Sequence, residues 1–145
     1  MKRIFLIMLG LSSLIWAERF TRDVVTGVVT DSQTHLQWQD DYSDNAGNIK
    51  STTWTDAIAY CEALPLDNGG WRLPNQKELI SIVDYSIDDP AISPVFIKTS
   101  GSIYWSSTTS VNITDTAWIV SFYDGDTGEV GKTASYNVLC VRAEQ

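Results

Sequence analysis

Three pairs of closely spaced aspartates are the residues of this sequence best suited to chemistry: Asp40–Asp41, Asp88–Asp89 and Asp124–Asp126. Two carboxyl groups that converge on one pocket can act as general acid and general base in a hydrolysis. Spacing along the chain does not establish convergence, and the fragment DGDTG around the third pair is also typical of a hairpin turn. A carboxylate-based hydrolase is therefore an alternative function and not the favoured one.

Asp124 and Asp126 also form a weak calcium candidate, because D-x-D-x-G resembles part of a calcium-binding loop. The complete EF-hand pattern is absent, and turn formation is the simpler role for both residues. Zinc is poorly served by a chain with a single histidine, His35, and two cysteines. We expect no cofactor, with calcium at this turn as the alternative.

The other side chains that could react or bind are assigned to structure. His35 lies in a turn without a nucleophile signature beside it, so a Ser–His–Asp triad is not indicated. Arg72 could bind a ligand anion, but pairing with an acidic residue or loop carbonyls beside its helix is preferred. Trp71, Trp105 and Trp118 are expected in the core, which aromatic residues of a small domain mostly fill. The sequence thus predicts a protein that is not an enzyme.

The N-terminal segment MKRIFLIMLGLSSLIWA has the layout of a secretory signal peptide. Two basic residues precede an apolar run that is short for a bilayer span, and cleavage is expected after Ala17. An uncleaved anchor is the weaker alternative. The sequence therefore predicts a signal peptide at 1–17 and one domain at 18–145, secreted, periplasmic or at the cell surface, with no membrane span in the mature chain.

The expected export also bears on the cysteines and on the charge. Cys61 and Cys140 would meet an oxidising compartment, where a single disulfide is the preferred interpretation and two free thiols the alternative. Without Lys2 and Arg3, 10 basic residues become 8, against 18 acidic residues, for a formal charge of −10. This charge argues against nucleic acid or another polyanion as the main partner.

Two helices are predicted in the middle of the chain. TWTDAIAYCEAL begins with a possible capping box, Thr53 and Asp56, and then carries an apolar stripe that includes Cys61. In NQKELISIVDY, Asn75 is a good N-cap and Glu78 occupies the third helical position, which predicts a second helix ending near Tyr85.

Strands are predicted on both sides of these helices. The strand segments are two short strands within 24–39, IYWSSTT, the strand–turn–strand AWIVSFYDGDTGEVGK and a final strand YNVLCVRA. Strands, two helices and then strands indicate an α+β fold with a mostly antiparallel sheet.

Five motifs together resemble a known family. In chain order they are WTDAIAYCEAL, GGWRLPNQKEL, YWSSTT, AWIVSFYDGDTG and YNVLCVRA. Over residues 24–143 the chain is similar to the Lcl C-terminal domain family, named after collagen-like bacterial adhesins. The resemblance implies a C-type-lectin-like fold, related to that of formylglycine-generating enzymes, in which a first-helix cysteine commonly pairs with one in the last strand. It departs at Thr34–His35, where the family usually has Thr-Gly, so a positive φ is expected at His35.

Recognition is expected in the polar loops, because loops on a rigid scaffold commonly carry binding residues. The resemblance implies a ligand region at about 86–116, and the 40–50 loop and the 124–129 turn are further polar segments. The residues expected nearest a ligand are Asp88, Asp89, Asn112 and Asp115. Asn112 also begins an Asn-Ile-Thr glycosylation acceptor. The alternative is that these loops only keep the domain soluble.

Taken together, the export signal, the missing catalytic set and the resemblance predict an exported, adhesin-like, non-catalytic binding module for a glycan or a protein partner. A carboxylate-based hydrolase and a purely structural subunit of a surface assembly are the alternatives. Some members of the family recognise sulfated glycans, for which a charge of −10 has the wrong sign unless cations cluster. The oligomeric state stays open.

Overall fold

A computed structural model of the protein describes residues 18–145, so the expected signal peptide lies outside the described residues. Within 18–145 the chain forms an α+β domain with two α-helices and two sheets. The strands are β1 Phe20–Arg22, β2 Val28–Asp31, β3 Leu36–Gln39, β4 Ser51–Thr52, β5 Ile103–Thr109, β6 Thr116–Ser121, β7 Thr127–Gly131, β8 Tyr136–Asn137 and β9 Val141–Ala143. The helices are α1 Trp54–Ala63 and α2 Gln76–Ser81, with short 3-10 turns at Ser43–Asn45 and Leu66–Asn68.

The strands form a four-stranded sheet, β1-β2-β3-β9, and a five-stranded sheet, β4-β8-β5-β6-β7. Every strand pair is antiparallel except β5 and β8, which meet in parallel at Tyr104 and Asn137. The predicted α+β class with mostly antiparallel sheets is confirmed, and the arrangement is compatible with a C-type-lectin-like fold. None of the helices in residues 18–145 is both long and apolar enough to cross a membrane.

The five-stranded sheet lies between two hydrophobic clusters, because neighbouring residues of a strand point to opposite faces. On β5, Trp105 belongs to the cluster that contains the buried residues of α1, whereas Tyr104 belongs to the cluster that contains Leu79 of α2. On β6, Ile119 and Val120 divide in the same way. This alternation fixes both helices relative to the sheet that carries the loops described below.

A disulfide joins Cys61 of α1 to Cys140, with the two Cα atoms 5.5 Å apart and a sequence separation of 79. The predicted pairing is therefore confirmed. Both cysteines are fully buried in the cluster beneath α1. In the chain-entropy model a link of this span stabilises the folded state by about 4.5 kcal/mol.

The final segment is not the single strand that the sequence predicted. Its first part, β8, pairs in the five-stranded sheet, and its last part, β9, pairs with β3 in the other sheet. Between them, the Val138 N–H donates to the Lys50 carbonyl and the Cys140 carbonyl accepts from the Gln39 N–H. The segment crosses from one sheet to the other while its side chains keep alternating between the two hydrophobic clusters. The alternating sequence pattern therefore gives no sign of the change of partner strand.

The helix ends differ from prediction in two places. Asn75 and Glu78 form the predicted capping box, but α2 ends at Ser81 because the chain turns at Ile82. At α1, Thr53 occupies the N-cap position without a side-chain cap hydrogen bond, so the predicted capping box is absent there.

Two of the three tryptophans assigned to the core are buried. Trp71 and Trp105 are almost fully covered. Trp118 is only half-buried, so its assignment to the core is wrong. It lies on the second strand from the sheet edge, where a large aromatic side chain is covered from fewer directions.

Candidate functional site

A surface cavity of about 540 Å³ lies between the start of the described chain and the segment 82–95. It is lined by Glu18, Arg19, Phe20, Ile82, Val83, Asp84, Tyr85, Ser93, Pro94 and Val95. Its volume is within the range of small-molecule pockets, roughly 300–1,000 Å³. The cavity combines aliphatic walls with polar groups, as ligand pockets generally do.

One wall of the cavity continues into the loop 84–91, which is fastened at both ends. Val83 and Ile92 form an antiparallel bridge, and the Asp84 N–H donates to the Ala91 carbonyl. The Asp89 N–H also donates to the Tyr123 carbonyl at 2.8 Å, in the turn after β6. The loop therefore presents its side chains from a fixed backbone.

Three exposed hydrophobic residues lie on this loop and the neighbouring turn: Tyr85, Ile87 and Tyr123, with exposed fractions of 68%, 42% and 54%. We refer to them as the tyrosine surface. The Tyr85 ring lies over Gly125, where an added Cβ would come within 2.8 Å of the ring. Gly125 has φ +88°, a conformation that glycine adopts without strain. The turn after β6 and the 84–91 loop thus support each other beside the cavity, to which Tyr85 also belongs.

Carboxylates surround the tyrosine surface, and the segments 84–91 and 122–126 contain no lysine or arginine. The Asp84 carboxylate accepts hydrogen bonds from the Ser86 hydroxyl and N–H, which lower its pKa. Asp88 and Asp126 are exposed, and neither carboxylate hydrogen-bonds to another residue within 18–145. The surface is therefore unfavourable for anionic ligands and offers free acceptors to hydroxyl or amino groups.

Arg19 also lines the cavity, and its guanidinium is paired with a buried aspartate. Its guanidinium donates to both Asp31 oxygens, at 2.9 and 2.7 Å, and to the Ser81 carbonyl at 2.8 Å. It also lies 4.5 Å from the centroid of the Phe20 ring. Arg19 therefore fixes the cavity wall and is neutralised by Asp31.

The four residues predicted to lie nearest a ligand fall into two groups at opposite ends of β6. Asp88 and Asp89 lie beside the turn that follows β6, through the Asp89–Tyr123 hydrogen bond. Asn112 and Asp115 lie in the hairpin that precedes β6. A strand of this length separates its two ends by roughly 20 Å, at about 3.3 Å per residue. The structure does not bring the four together on one face.

The hairpin that carries Asn112 and Asp115 is held by Lys132. The Lys132 ammonium donates to the Thr109 hydroxyl and the Thr114 carbonyl, and the backbone N–H of Lys132 donates to the Asp115 carbonyl. The ammonium also lies 4.0 Å from the centroid of the Trp54 ring. These contacts give the hairpin a structural framework of its own.

The first aspartate pair is built into the scaffold. Asp40 is fully buried and accepts from the Arg22 Nε at 2.7 Å and from the N–H groups of Ile97 and Lys98, both at 3.0 Å. The Asp41 carboxylate accepts from the Ser43 hydroxyl and N–H. The segment 40–48 is therefore not a uniformly polar loop open to ligands, because its first carboxylate joins three parts of the chain.

The calcium candidate lies in the turn after β6, and its two carboxylates, those of Asp124 and Asp126, have different roles. The Asp124 carboxylate accepts the Asp126 N–H at 3.0 Å, as expected for a turn. In the part of the chain that the structure describes, no three His, Cys, Asp or Glu side chains are grouped so that they could hold a metal ion.

A model of the Lcl C-terminal domain matches residues 27–142 of the sequence, which is most of the described chain. The chain belongs to the Lcl C-terminal domain family. No curated protein matched the sequence.

The WRLPN segment of this Lcl C-terminal domain is structural. The Arg72 guanidinium donates to both Glu78 oxygens, at 2.6 and 2.7 Å, and the Asn75 side chain caps α2. The expected pairing of Arg72 beside its helix is confirmed. His35 has the expected positive φ, 57°, and its exposed ring lies 3.1 Å from Glu144.

Sequence reasoning missed the cavity and the tyrosine surface. Tyr85 was assigned to the end of a helix, and Tyr123 to a strand–turn–strand unit. A tyrosine with aspartates nearby in each of two loops is the available signal, but only the fold brings the two segments together.

Proposed function

We propose that the domain is an exported, non-catalytic module that binds a glycan on the tyrosine surface and in the adjoining cavity. The observation that carries this proposal is the exposed Tyr85 ring. It belongs to both the tyrosine surface and the cavity, and its loop is held by backbone hydrogen bonds. An aromatic ring offers an apolar face with a hydroxyl at its edge, which suits the mixed surface of a sugar. Pre-organised aromatic residues also lose little conformational entropy on binding.

The charges favour an uncharged or amino-bearing glycan. Arg19, the cationic side chain of the cavity wall, is paired with Asp31, while Asp88 and Asp126 are exposed acceptors in the loop and turn of the tyrosine surface. Sugar hydroxyl and amino groups can donate to these carboxylates, whereas sulfate or carboxylate groups would be repelled. The adhesin-like role follows from family membership and from the expected export, and it rests on the same surface.

Binding without turnover is supported by the use of the aspartates. Asp40 is enclosed by backbone and guanidinium donors, and Asp124 holds its own turn. A hydrolase would need two carboxyl groups directed at one bond. Hydrolysis of a bound glycan that is lost in Asp88→Asn would replace the proposal with the hydrolase alternative.

The experiment begins with the protein purified after expression of the full chain in an exporting host. Its intact mass will show whether the chain begins at Glu18, as cleavage after Ala17 requires. A glycan array of neutral and amino-bearing oligosaccharides then selects a ligand, and calorimetric titration gives its affinity. We expect Tyr85→Ala and Tyr123→Ala each to weaken binding roughly 5- to 30-fold, the effect of losing an aromatic contact worth 1–2 kcal/mol.

One matched control changes a residue of the tyrosine surface conservatively, and the other changes a residue of the hairpin before β6. Tyr85→Phe keeps the ring and should retain most of the affinity, and Asn112→Ala should leave it unchanged. Absence of any glycan ligand, or loss of binding in Asn112→Ala with full binding in both tyrosine variants, contradicts the proposal.

A further inference from the structure

We propose that the open edge of β7 binds an extended segment of a partner protein as an added strand, with a basic side chain placed opposite Glu129. This surface is separate from the tyrosine surface, and β7 is the last strand of its sheet in the described residues. Strand addition to an open edge is a common mode of peptide recognition, in which backbone hydrogen bonds supply most of the affinity.

The register of β6 and β7 shows which backbone groups are free. The Lys132 N–H donates to the Asp115 carbonyl, and the Ser121 N–H donates to the Asp126 carbonyl. Hydrogen-bonded and non-hydrogen-bonded pairs alternate along an antiparallel ladder. Gly128 and Val130 therefore bond to β6, whereas the N–H groups of residues 127, 129 and 131 and the carbonyl groups of residues 127 and 129 point away from the sheet. The Gly131 carbonyl is already used, because it accepts from the Ala134 N–H.

These outward residues are open to an incoming strand. Thr127, Glu129 and Gly131 are all exposed, and a Cβ added to Gly131 would meet no atom within 4 Å. Natural edge strands are commonly protected by charged side chains, proline or a bulge, and β7 has one charge, Glu129, but no proline, lysine or bulge. The nearest lysine, Lys132, is turned onto Trp54 and Thr109 instead.

The side chains at this edge indicate the chemistry of the partner. Glu129 is the only charged residue of β7 and lies directly across from Trp118 of β6, which is half-buried. A lysine or arginine on the added strand beside Glu129 would pair with its carboxylate on the face that also carries the indole. The residues before and after this basic residue would lie on the opposite face of the sheet, beside Val130, which packs against the cluster beneath α1.

A second copy of this chain is a poor occupant of the edge. Antiparallel pairing of two β7 strands in full overlap would place Glu129 opposite the same residue of the other copy, and like charges directly opposite are destabilising. Residues 18–145 also carry 8 basic and 18 acidic residues, so two copies repel each other. A basic, extended segment of another protein fits the edge better.

The test uses the ¹⁵N-labelled protein, purified after expression of the full chain, and the pentapeptide acetyl-Thr-Val-Lys-Val-Thr-amide as the probe. In NMR titrations with this peptide in excess, we expect amide hydrogen exchange to slow at Thr127, Glu129 and Gly131. Exchange at Gly128 and Val130 should stay unchanged, because their N–H groups are already bonded to β6. Protection without this alternation, or no protection, overturns the proposal.

Charge reversal supplies the matched variants. The same peptide with Glu in place of Lys should bind the natural chain about 1.5- to 5-fold more weakly, and Glu129→Lys should reverse that preference. Glu129→Pro removes an outward donor without touching the ladder to β6 and should abolish the protection. An unchanged preference in Glu129→Lys, or peptide-independent dimers through β7 in sedimentation, contradicts the proposal. Tyr85→Ala should bind the peptide normally, so failure of the glycan proposal leaves this one intact.

Discussion

Asp31 and Asp40 are buried carboxylates with guanidinium partners, yet their surroundings shift their pKa values in opposite directions. Burial raises the pKa of Asp31, but hydrogen bonds from Arg19 and the following turn outweigh it, so the pKa lies below its usual value. Burial dominates at Asp40 and keeps its pKa above the usual value, despite Arg22 and two backbone N–H donors. Asp31 therefore stabilises the folded state more as pH rises, whereas Asp40 stabilises it more as pH falls.

These shifts predict opposite pH dependences for two conservative variants. Asp31 contributes stability that is present above its unfolded pKa, near 3.8, and is lost as pH falls through its lower folded value. The folded state holds the Asp40 proton more tightly than the unfolded chain, so its contribution declines as pH rises from about 3.8 through the higher folded value. The destabilisation by Asp31→Asn should therefore grow with pH in the acid range, and that by Asp40→Asn should shrink.

Urea denaturation of the natural chain and both variants between roughly pH 3 and 6 measures these differences. Asp115→Asn is the control for a general change of charge, since Asp115 is exposed and its carboxylate makes no hydrogen bond within residues 18–145. Parallel pH profiles for Asp31→Asn and Asp40→Asn would show that one of the two pKa directions is wrong.

At the scale of elements, the N-termini of α1 and α2 can be compared directly, because a polar side chain occupies the N-cap position of each. Asn75 accepts the Glu78 N–H and Glu78 accepts the Asn75 N–H, which completes a capping box. Thr53 precedes α1 in the same way but makes no side-chain cap hydrogen bond. We predict that Asn75→Ala lowers the free energy of unfolding by about 1 kcal/mol, whereas Thr53→Ala changes it by much less.

Chemical denaturation of both variants checks the difference. Asn75→Asp keeps a side-chain acceptor at the cap and should retain most of the stability, which separates capping from other effects of the substitution. Equal losses in Asn75→Ala and Thr53→Ala would contradict the distinction between the two helix starts.

Local sequence signals predicted the elements whose partners are close in sequence. The α2 capping box and the strand at 103–109 follow from the residues themselves. The crossing at 138–140 does not, because an alternating strand has the same pattern whether it keeps or changes its partner sheet. Trp118 was misassigned for a related reason: side-chain size predicts burial only when the other elements covering it are known.

At the scale of the whole molecule, the candidate site was the part least accessible to sequence reasoning. Asp88 and Asn112 both lie in polar loops, but β6 separates those loops, and only the strand register shows it. Conversely, the loop that carries Tyr85 and the turn that carries Tyr123 are distant in sequence but are joined by the hydrogen bond from the Asp89 N–H to the Tyr123 carbonyl. Such long-range pairing leaves no local signal in either segment.

The distribution of positive charge bears on the choice of glycan. All four arginines of residues 18–145 are paired with carboxylates: Arg19 with Asp31, Arg22 with Asp40, Arg72 with Glu78 and Arg142 with Asp67. Lys132 is held by the hairpin that it supports. The guanidinium groups are therefore spread over separate ion pairs, and no cluster of free guanidinium groups exists in this range to receive sulfate.

We accordingly predict that a chain of residues 18–145 is not retained on immobilised heparin at about 0.15 M NaCl, since its 18 acidic residues against 8 basic ones repel a polyanion and its arginines are paired with carboxylates. For a neutral glycan selected on the array, the affinity should change less than about 2-fold between roughly 0.05 and 0.3 M NaCl, because an uncharged ligand makes no ion pair that salt can screen. For an amino-bearing glycan the affinity should fall as salt rises, because its ammonium group pairs with exposed carboxylates. Glu78→Gln, which frees the partly exposed Arg72, is the variant in which weak retention should first be detectable. Firm retention of the natural chain on heparin, or a neutral glycan whose affinity falls steeply with salt, would contradict this assignment of charge to the tyrosine surface.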